Sequence, residues 1–210
     1  MRPVLVLPLA WLLAAAHAVP PHSLPSVPWP RSLEITAREF PGFASARGPE
    51  LIVANSSEQD ADEQAKALGL TARQRAEVIK EDTAFGFIEA VGEKFTIADG
   101  HEAVYGARVF RHNDGARAYS ESTAYWIRRN RETRGAIVIA RHVSGVRRSV
   151  ALFVAYPGGA GADDILFTVG RCSFLTADSI PRPREESESA MAPVTLARRL
   201  ARRFLGPCSP

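Results

Sequence analysis

The sequence lacks the short motifs that identify the common enzyme and metal-binding families. No zinc pattern of the His-Glu-x-x-His or paired Cys-x-x-Cys type is present, and no calcium loop with alternating carboxylates. A Gly-x-Ser-x-Gly nucleophile elbow is also missing, and the Gly-rich segment 158–161 does not end in the Gly-Lys-Ser/Thr of a phosphate-binding loop. We therefore expect no metal and no cofactor. We favour a non-catalytic protein over an enzyme.

Lysine is scarce, and the acidic and basic residues are nearly balanced. Only Lys66, Lys80 and Lys94 are lysines among 26 basic residues, and 23 acidic residues leave a formal net charge of +3. The basic side chains are spread along the chain, so we expect no nucleic-acid partner. The preference for arginine is typical of a high-GC bacterium. Hydrophobic residues make up 46% of the 210 positions, which is enough for one globular domain with its own core.

The N-terminal residues have the pattern of a secretory signal peptide. A short apolar run from Val4 to Ala16 follows Arg2, and Ala16 and Ala18 are the small residues that a signal peptidase requires. No cysteine follows at the predicted cleavage site. We therefore expect a secreted, periplasmic or cell-envelope protein that is not lipid-anchored. The predicted divisions of the chain are a signal peptide over 1–18, a Pro-rich linker over 19–34 and a single α+β domain over 35–206.

Hydrophobic periodicity and capping residues predict an α+β domain with an antiparallel sheet packed by helices. The predicted elements, in order, are helices over 58–68 and 72–80, strands over 84–95 and 102–110, a helix from 113 to about 131, strands over 136–143, 149–156 and 164–176, and a helix over 194–205. The first two strands form a hairpin and the other three a meander. Their short connections leave no room for the crossover of a parallel sheet, which disfavours a doubly wound nucleotide-binding fold.

Alternation in the second strand predicts what each face of the sheet carries. One side is predicted to hold Val104, Gly106, Arg108 and Phe110, and the other Ala103, Tyr105, Ala107 and Val109.

The order of elements and three short phrases resemble a known family. The phrases are Ala107-Arg108-Val109-Phe110, Asp114-Gly115-Ala116 and Leu166-Phe167-Thr168-Val169-Gly170-Arg171. Together they make residues 84–205 resemble the PsbP/Mog1-type α+β sandwich of exported and envelope proteins of actinobacteria. This resemblance implies the sandwich fold and brings no catalytic or ligand motif with it. A cystatin-like or nuclear-transport-factor-like curved sheet is the alternative.

Cys172 and Cys208 are the only cysteines in the chain. In an oxidising compartment a disulfide between them is favoured, and closing a loop of this length would stabilise the fold by about 4 kcal/mol. The alternative is that Cys172 is a buried strand residue and Cys208 belongs to a frayed tail.

Two arginine clusters and one acidic pair are the remaining polar features. Arg128, Arg129, Arg131 and Arg134 lie at a predicted helix C-terminus, where cations stabilise the helix dipole. Their alternative role is to bind an anion, and the arginines at this helix end and over 198–203 would then contact a membrane surface. Asp163 and Asp164 point to opposite sides if they lie in a strand, and we expect them in a solvated hairpin loop.

Three functions follow from these observations. The first is an exported, non-catalytic binding protein of the bacterial cell envelope, which holds an amphipathic small molecule between sheet and helices or binds another envelope component. The second is a secreted hydrolase whose catalytic residues are dispersed in the sequence. The third is a structural or accessory protein that binds a partner protein.

Overall fold

Within the described part of the chain, seven strands form one open sheet. The computed structural model describes residues 33–40, 47–68, 70–96, 102–157, 159–180, 191–205 and 208. The strands are β1 (Arg47–Ala54), β2 (Phe87–Thr96), β3 (Glu102–Phe110), β4 (Ile137–Arg141), β5 (Ser149–Ala155), β6 (Gly161–Val169) and β7 (Cys172–Ile180). Their order across the sheet is β1-β2-β3-β7-β6-β5-β4, and every neighbouring pair is antiparallel. An antiparallel block of β1 to β3 is thus joined to a meander of β4 to β7.

Helices cover both faces of this sheet, which confirms the predicted α+β class. The described helices are α1 (Ser57–Leu68), α2 (Ala72–Phe85), α3 (Asn113–Thr133) and α4 (Met191–Arg203), with a 3-10 turn at Ala37–Glu39. The helices α1, α2 and α3 lie on the face that carries Arg108, and α4 lies on the opposite face. The two faces of β3 therefore carry the side chains that the alternation predicted.

The sheet has two more strands than the sequence predicted. The segment 164–176 is not one strand but parts of β6 and β7, because Gly170 adopts a left-handed φ of 52° and turns the chain back. Val169 and Cys172 then face each other across this tight turn. The second addition is β1, an edge strand for which no strand was predicted. The predicted three-stranded meander is therefore part of a four-stranded one.

The helix pair before the hairpin is present, and α2 is longer than predicted. Thr71 and Gln74 form a capping box at the start of α2, in which the Gln74 N–H donates to Thr71 Oγ1 at 3.3 Å. The helix continues past Lys80 to Phe85 and ends at Gly86, whose φ of 72° is the left-handed conformation that glycine favours. The following strand therefore begins at Phe87 rather than at 84.

The main hydrophobic core lies between the sheet and α4. Leu196, Leu200 and Phe204 recur every four residues along the last helix and its end, and they are fully buried there. The ring of Phe204 stacks on Phe174 with centroids 5.1 Å apart, and Phe174 stacks in turn on Phe167 at 5.0 Å. These contacts fix α4 on the sheet.

The segment 33–40 is bound along the α4 side of the sheet. Tyr105 Oη donates to the carbonyl of Leu33 at 2.6 Å, and the N–H of Ile35 donates to Glu93 Oε2 at 3.0 Å. Burial raises the pKa of Glu93 to about 7. Arg203 on α4 forms an ion pair with Glu39. This arginine of the predicted 198–203 cluster therefore holds the segment 33–40 against α4. The rest of the Pro-rich stretch lies outside the described residues.

Gly115 is where the first turn of α3 packs against the end of α2. A Cβ atom at Gly115 would lie 2.0 Å from the carbonyl oxygen of Phe85, which is far inside van der Waals contact. We expect Gly115→Ala to lower the free energy of unfolding by about 2–3 kcal/mol, because the two helices must separate. In an ordinary helix the same change is favourable by about 1 kcal/mol, so the sign of the effect in urea denaturation is diagnostic. Unchanged or higher stability would show that this close packing is absent.

Candidate functional site

A cluster of buried charges lies under the three helices that cover one face of the sheet. The guanidinium of Arg108 donates two hydrogen bonds to Asp60, at 2.9 Å and 2.8 Å. The same group lies 3.5 Å from Asp82 Oδ1. Arg108, Asp60 and Asp82 are all buried. Two carboxyl groups thus share one cation inside the protein. Such a buried cluster is stable only when good hydrogen-bond geometry offsets the cost of removing the charges from water.

Each residue of this cluster comes from a different element. Asp60 lies in the first turn of α1, Asp82 in the last turn of α2 and Arg108 near the end of β3. The side-chain amide of Gln64, one helical turn after Asp60, donates to Asp60 Oδ2 at 2.5 Å. The ring of Tyr119 on α3 packs against the guanidinium of Arg108, with 4.7 Å between the carbon of that group and the ring centroid. The cluster therefore ties α1, α2 and α3 to the sheet.

Asp82 differs from Asp60 in how its oxygens are satisfied. Asp82 Oδ2 is buried and has no N–H or hydroxyl donor within hydrogen-bond distance. Burial raises the pKa of Asp82 to about 8. Arg108 opposes this increase, and both the charge of Asp60 and a hydrogen bond between the two carboxyl groups add to it. Asp82 is therefore protonated in much of the population at neutral pH, beside a fully bonded Asp60.

An apolar cleft lies next to Arg108, between α3 and the sheet. Gly92 on β2 and Gly106 on β3 face each other across the strands and leave its floor without side chains. Tyr119 and Thr123 of α3 lie above that floor. The cleft holds about 470 Å³ of space between protein atoms, part of it open to solvent. The other walls of the cleft are mainly apolar and include Val104, Leu166 and Leu175.

A second pocket lies between α2 and α3, on the other side of Tyr119 and Thr123. It holds about 360 Å³, again partly open to solvent. Its lining differs from that of the apolar cleft because it combines acidic, amide and aromatic side chains. The residues that set its chemistry are Gln64, Glu81, Asp82, Phe85, Tyr119 and Trp126.

The four arginines predicted as an anion site do not share one surface. Arg131 turns toward the sheet, where it donates to Tyr156 Oη at 2.7 Å and lies 3.4 Å from Asp164 Oδ2. Arg128 is exposed and forms an ion pair with Glu132 at 2.7 Å. Arg129 and Arg134 are exposed as well. Anion binding by the exposed arginines stays a prediction.

Asp163 and Asp164 are not in a solvated loop, which corrects the sequence interpretation. Both belong to β6 and both are buried. Asp164 lies with Arg131 on the α3 face, and Asp163 is opposite Asp178 of β7 on the other face. Burial raises the pKa of Asp164, and Arg131 opposes that increase. The Gly-rich segment 158–161 predicted a loop that would continue to Asp163 and Asp164. The strand β6 already begins at Gly161.

Among the described residues, one histidine and one serine are hydrogen-bonded to each other. His142 Nδ1 lies 3.1 Å from Ser149 Oγ. Ser149 is buried, however, and its Oγ also donates to the carbonyl of Val146 and accepts from the N–H of Val143. These bonds close the loop between β4 and β5. No group of three or more His, Cys, Asp or Glu side chains in the described ranges is arranged to hold a metal ion. His22 and His101 lie outside those ranges.

Cys172 and Cys208 form a disulfide, with Cα atoms 5.5 Å apart. The bond links the first residue of β7 to the segment that follows α4. The N–H of Arg171 also donates to the carbonyl of Cys208 at 2.9 Å, so the C-terminal segment is attached to the sheet twice. A structural disulfide is typical of proteins in oxidising compartments.

No helix in the described part of the chain has the length and apolar character needed to span a bilayer.

Comparison with known proteins finds similarity in structure but not in sequence. No family model matches the chain, and the search of curated proteins found no match. The PsbP/Mog1-type resemblance therefore stays a prediction. Among solved structures, the chain is similar to the extracellular domain of PknH from Mycobacterium tuberculosis, with a TM-score of 0.50 and 12% sequence identity. The alignment covers 82% of this chain and 93% of that domain. At this identity the likeness shows that the two chains share a fold.

Proposed function

We propose that this protein is an exported, non-catalytic binding protein of the bacterial cell envelope, and that it holds an amphipathic small molecule in the apolar cleft between α3 and the sheet. The observation that carries the proposal is the cleft floor formed by Gly92 and Gly106. Glycine in a strand interior weakens the sheet and often marks a place where a ligand approaches the backbone. Two facing glycines under a helix make room for such a ligand.

The chemistry of the cleft walls favours an amphipathic ligand. Aliphatic and aromatic side chains together form most of the lining, and Thr123, Ser173 and Arg108 supply the polar groups. Small-molecule sites are typically concave, mainly apolar and equipped with a few polar groups that orient the ligand.

Three observations support an exported protein. The N-terminal sequence has the pattern of a signal peptide. The Cys172–Cys208 disulfide fits an oxidising compartment. The structural neighbour is an extracellular domain. A hydrolase is less well supported, because Ser149 and His142 close a loop and Ser149 is not accessible to a substrate.

The proposal is tested by the mass of the protein purified from its own host. We expect the native mass spectrum to show a bound species that is absent under denaturing conditions. Gly106→Val should remove that species, because the new side chain occupies the cleft. A Cβ atom at Gly106 would meet its nearest neighbours at 3.9 Å, which is ordinary van der Waals contact. The same variant should be as stable as the parent protein or slightly more stable, by about 0.5 kcal/mol.

Ala140→Val is the matched control, because it adds similar bulk to an exposed position of β4 outside the cleft. This variant should retain the bound species. A bare polypeptide from the native host, or equal retention of the ligand by Gly106→Val and Ala140→Val, would contradict the proposed site.

A further inference from the structure

We propose that the pocket between α2 and α3 binds an organic ammonium group, with the buried carboxylate of Asp82 as its counter-ion. This second site has a chemistry different from that of the apolar cleft, and its occupation does not require the cleft to be filled. Tyr119 and Thr123 line both spaces, so a single ligand can occupy both or two ligands can occupy one each.

The buried carboxyl group of Asp82 is the main observation. Asp82 lines the pocket, its side chain is 4% exposed, and Oδ2 lacks an N–H or hydroxyl donor. When Asp82 is ionised, a buried carboxylate oxygen without a donor is costly, and native proteins contain few of them. A ligand that brings an N–H donor or a positive charge into the pocket would satisfy this oxygen.

The charge balance around the pocket favours a cation over an anion. Arg108 is the one cation of the buried cluster, and its two short hydrogen bonds go to Asp60 rather than to Asp82. Glu81, also on α2, adds a second acidic side chain to the lining. The C-terminal end of α2 contributes the partial negative charge of a helix dipole, and no basic residue lies in its last turn. Lys80, on α2 next to Glu81, is a cation whose charge acts on that carboxyl group.

The aromatic lining indicates an organic cation in particular. Phe85, Tyr119 and Trp126 all face this pocket, and Phe85 and Tyr119 meet edge to face at 6.5 Å. Alkylammonium groups bind to the faces of such rings through cation–π attraction, and carboxylates nearby add to that attraction.

Binding should be coupled to the release of a proton. A quaternary ammonium cannot titrate, so its positive charge lowers the pKa of Asp82 from the value of about 8 in the empty pocket. Affinity should therefore rise with pH and level off above pH 8, where Asp82 is already ionised. The other charged or titratable groups around Asp82 are Asp60 from α1, Glu81 from α2, Arg108 from β3 and Tyr119 from α3.

The test compares choline with its uncharged isostere 3,3-dimethylbutan-1-ol. The indole N–H signal of Trp126 in an NMR titration reports on the pocket itself. We expect choline to shift this signal with an affinity that rises at least tenfold from pH 6 to pH 8 at constant ionic strength. The uncharged alcohol should bind at least tenfold more weakly at pH 8, without a pH dependence.

Asp82→Asn should reduce the affinity for choline at least tenfold at pH 8 and remove its pH dependence. Asp114→Asn is the matched control, because it makes the same chemical change at a side chain that is 86% exposed. Glu81→Gln, which leaves the Arg108–Asp60 pair intact, is a second variant and should weaken choline binding several-fold.

Two results would overturn the inference. One is equal binding of choline and the alcohol, or no shift of the Trp126 signal by choline. The other is unchanged choline affinity in both Asp82→Asn and Glu81→Gln. Neither result bears on the apolar cleft, which the Gly106→Val variant tests separately.

Discussion

Replacing Arg108 with methionine is expected to lower the free energy of unfolding by about 3–5 kcal/mol. Methionine fills much of the space of the arginine side chain but removes its charge. Asp60 would then lose both of its hydrogen bonds from Arg108 and remain buried with only Gln64 as a partner. The loss is a large part of the total stability of a typical domain, which is about 5–15 kcal/mol. Urea denaturation followed by circular dichroism measures it.

Three further variants identify the origin of this loss. Arg108→Lys keeps a charge but cannot form the two-pronged contact with Asp60, so it should be nearly as unstable as Arg108→Met. Adding Asp60→Asn to Arg108→Met should recover part of the stability, because the unpaired charge is removed. Arg117→Met, at a half-exposed position of α3, should change stability by less than about 0.5 kcal/mol. A change of that small size in Arg108→Met would show that the ion pair contributes no net stability.

Local patterns predicted most of the helices and strands. The capping box of Thr71 and Gln74 and the apolar stripe of α4 are encoded within a few residues, and both are found in the structure. The turn at Gly170 is equally local, but it lies between two apolar segments that together read as one strand. The edge strand β1 is held mainly by its pairing with β2, and that contact lies about 40 residues away in sequence.

The candidate site could not be predicted in this way because its residues are far apart in sequence. Asp60 and Arg108 are separated by 48 residues. Alternation placed Arg108 and Gly106 on the same face, but nothing in the strand showed that this face would be covered by three helices. An arginine within a strand is more often exposed than buried. The one available signal was the glycine pair, since Gly92 and Gly106 each interrupt an otherwise bulky strand.

The two faces of the sheet differ in how they are filled, although both bury carboxyl groups: Glu93, Asp163 and Asp178 on the α4 side, and Asp82 and Asp164 on the α3 side. The α4 side is filled with stacked aromatic rings and is attached by the disulfide. The α3 side contains two glycines in strands, a buried carboxyl group with an oxygen lacking a donor, and two pockets. Proteins retain such unfavourable features mainly at functional sites. This contrast is a reason to look for ligands on the α3 side.

Removing the disulfide is expected to be about as costly as removing Arg108. The double variant Cys172→Ala/Cys208→Ala opens a loop with a sequence separation of 36 residues. The chain-entropy model gives a loss of about 4 kcal/mol for a loop of this length. In a chain of this size the melting temperature should fall by about 8–16 °C. Calorimetry of the oxidised parent protein and the double variant measures the difference.

A reducing agent separates the effect of the bond from the effect of the alanine side chains. Dithiothreitol should lower the melting temperature of the parent protein toward that of the double variant and leave the double variant unchanged. When the parent protein is reduced, amide hydrogen exchange should accelerate most in α4 and the Cys208 segment. The reason is that the bond attaches the chain just beyond α4 to the first residue of β7. Exchange that accelerates first in α3 instead would mean that the disulfide stabilises the α3 side of the sheet. Equal melting temperatures with and without the bond would show that Phe204 and its aromatic neighbours hold α4 in place unaided.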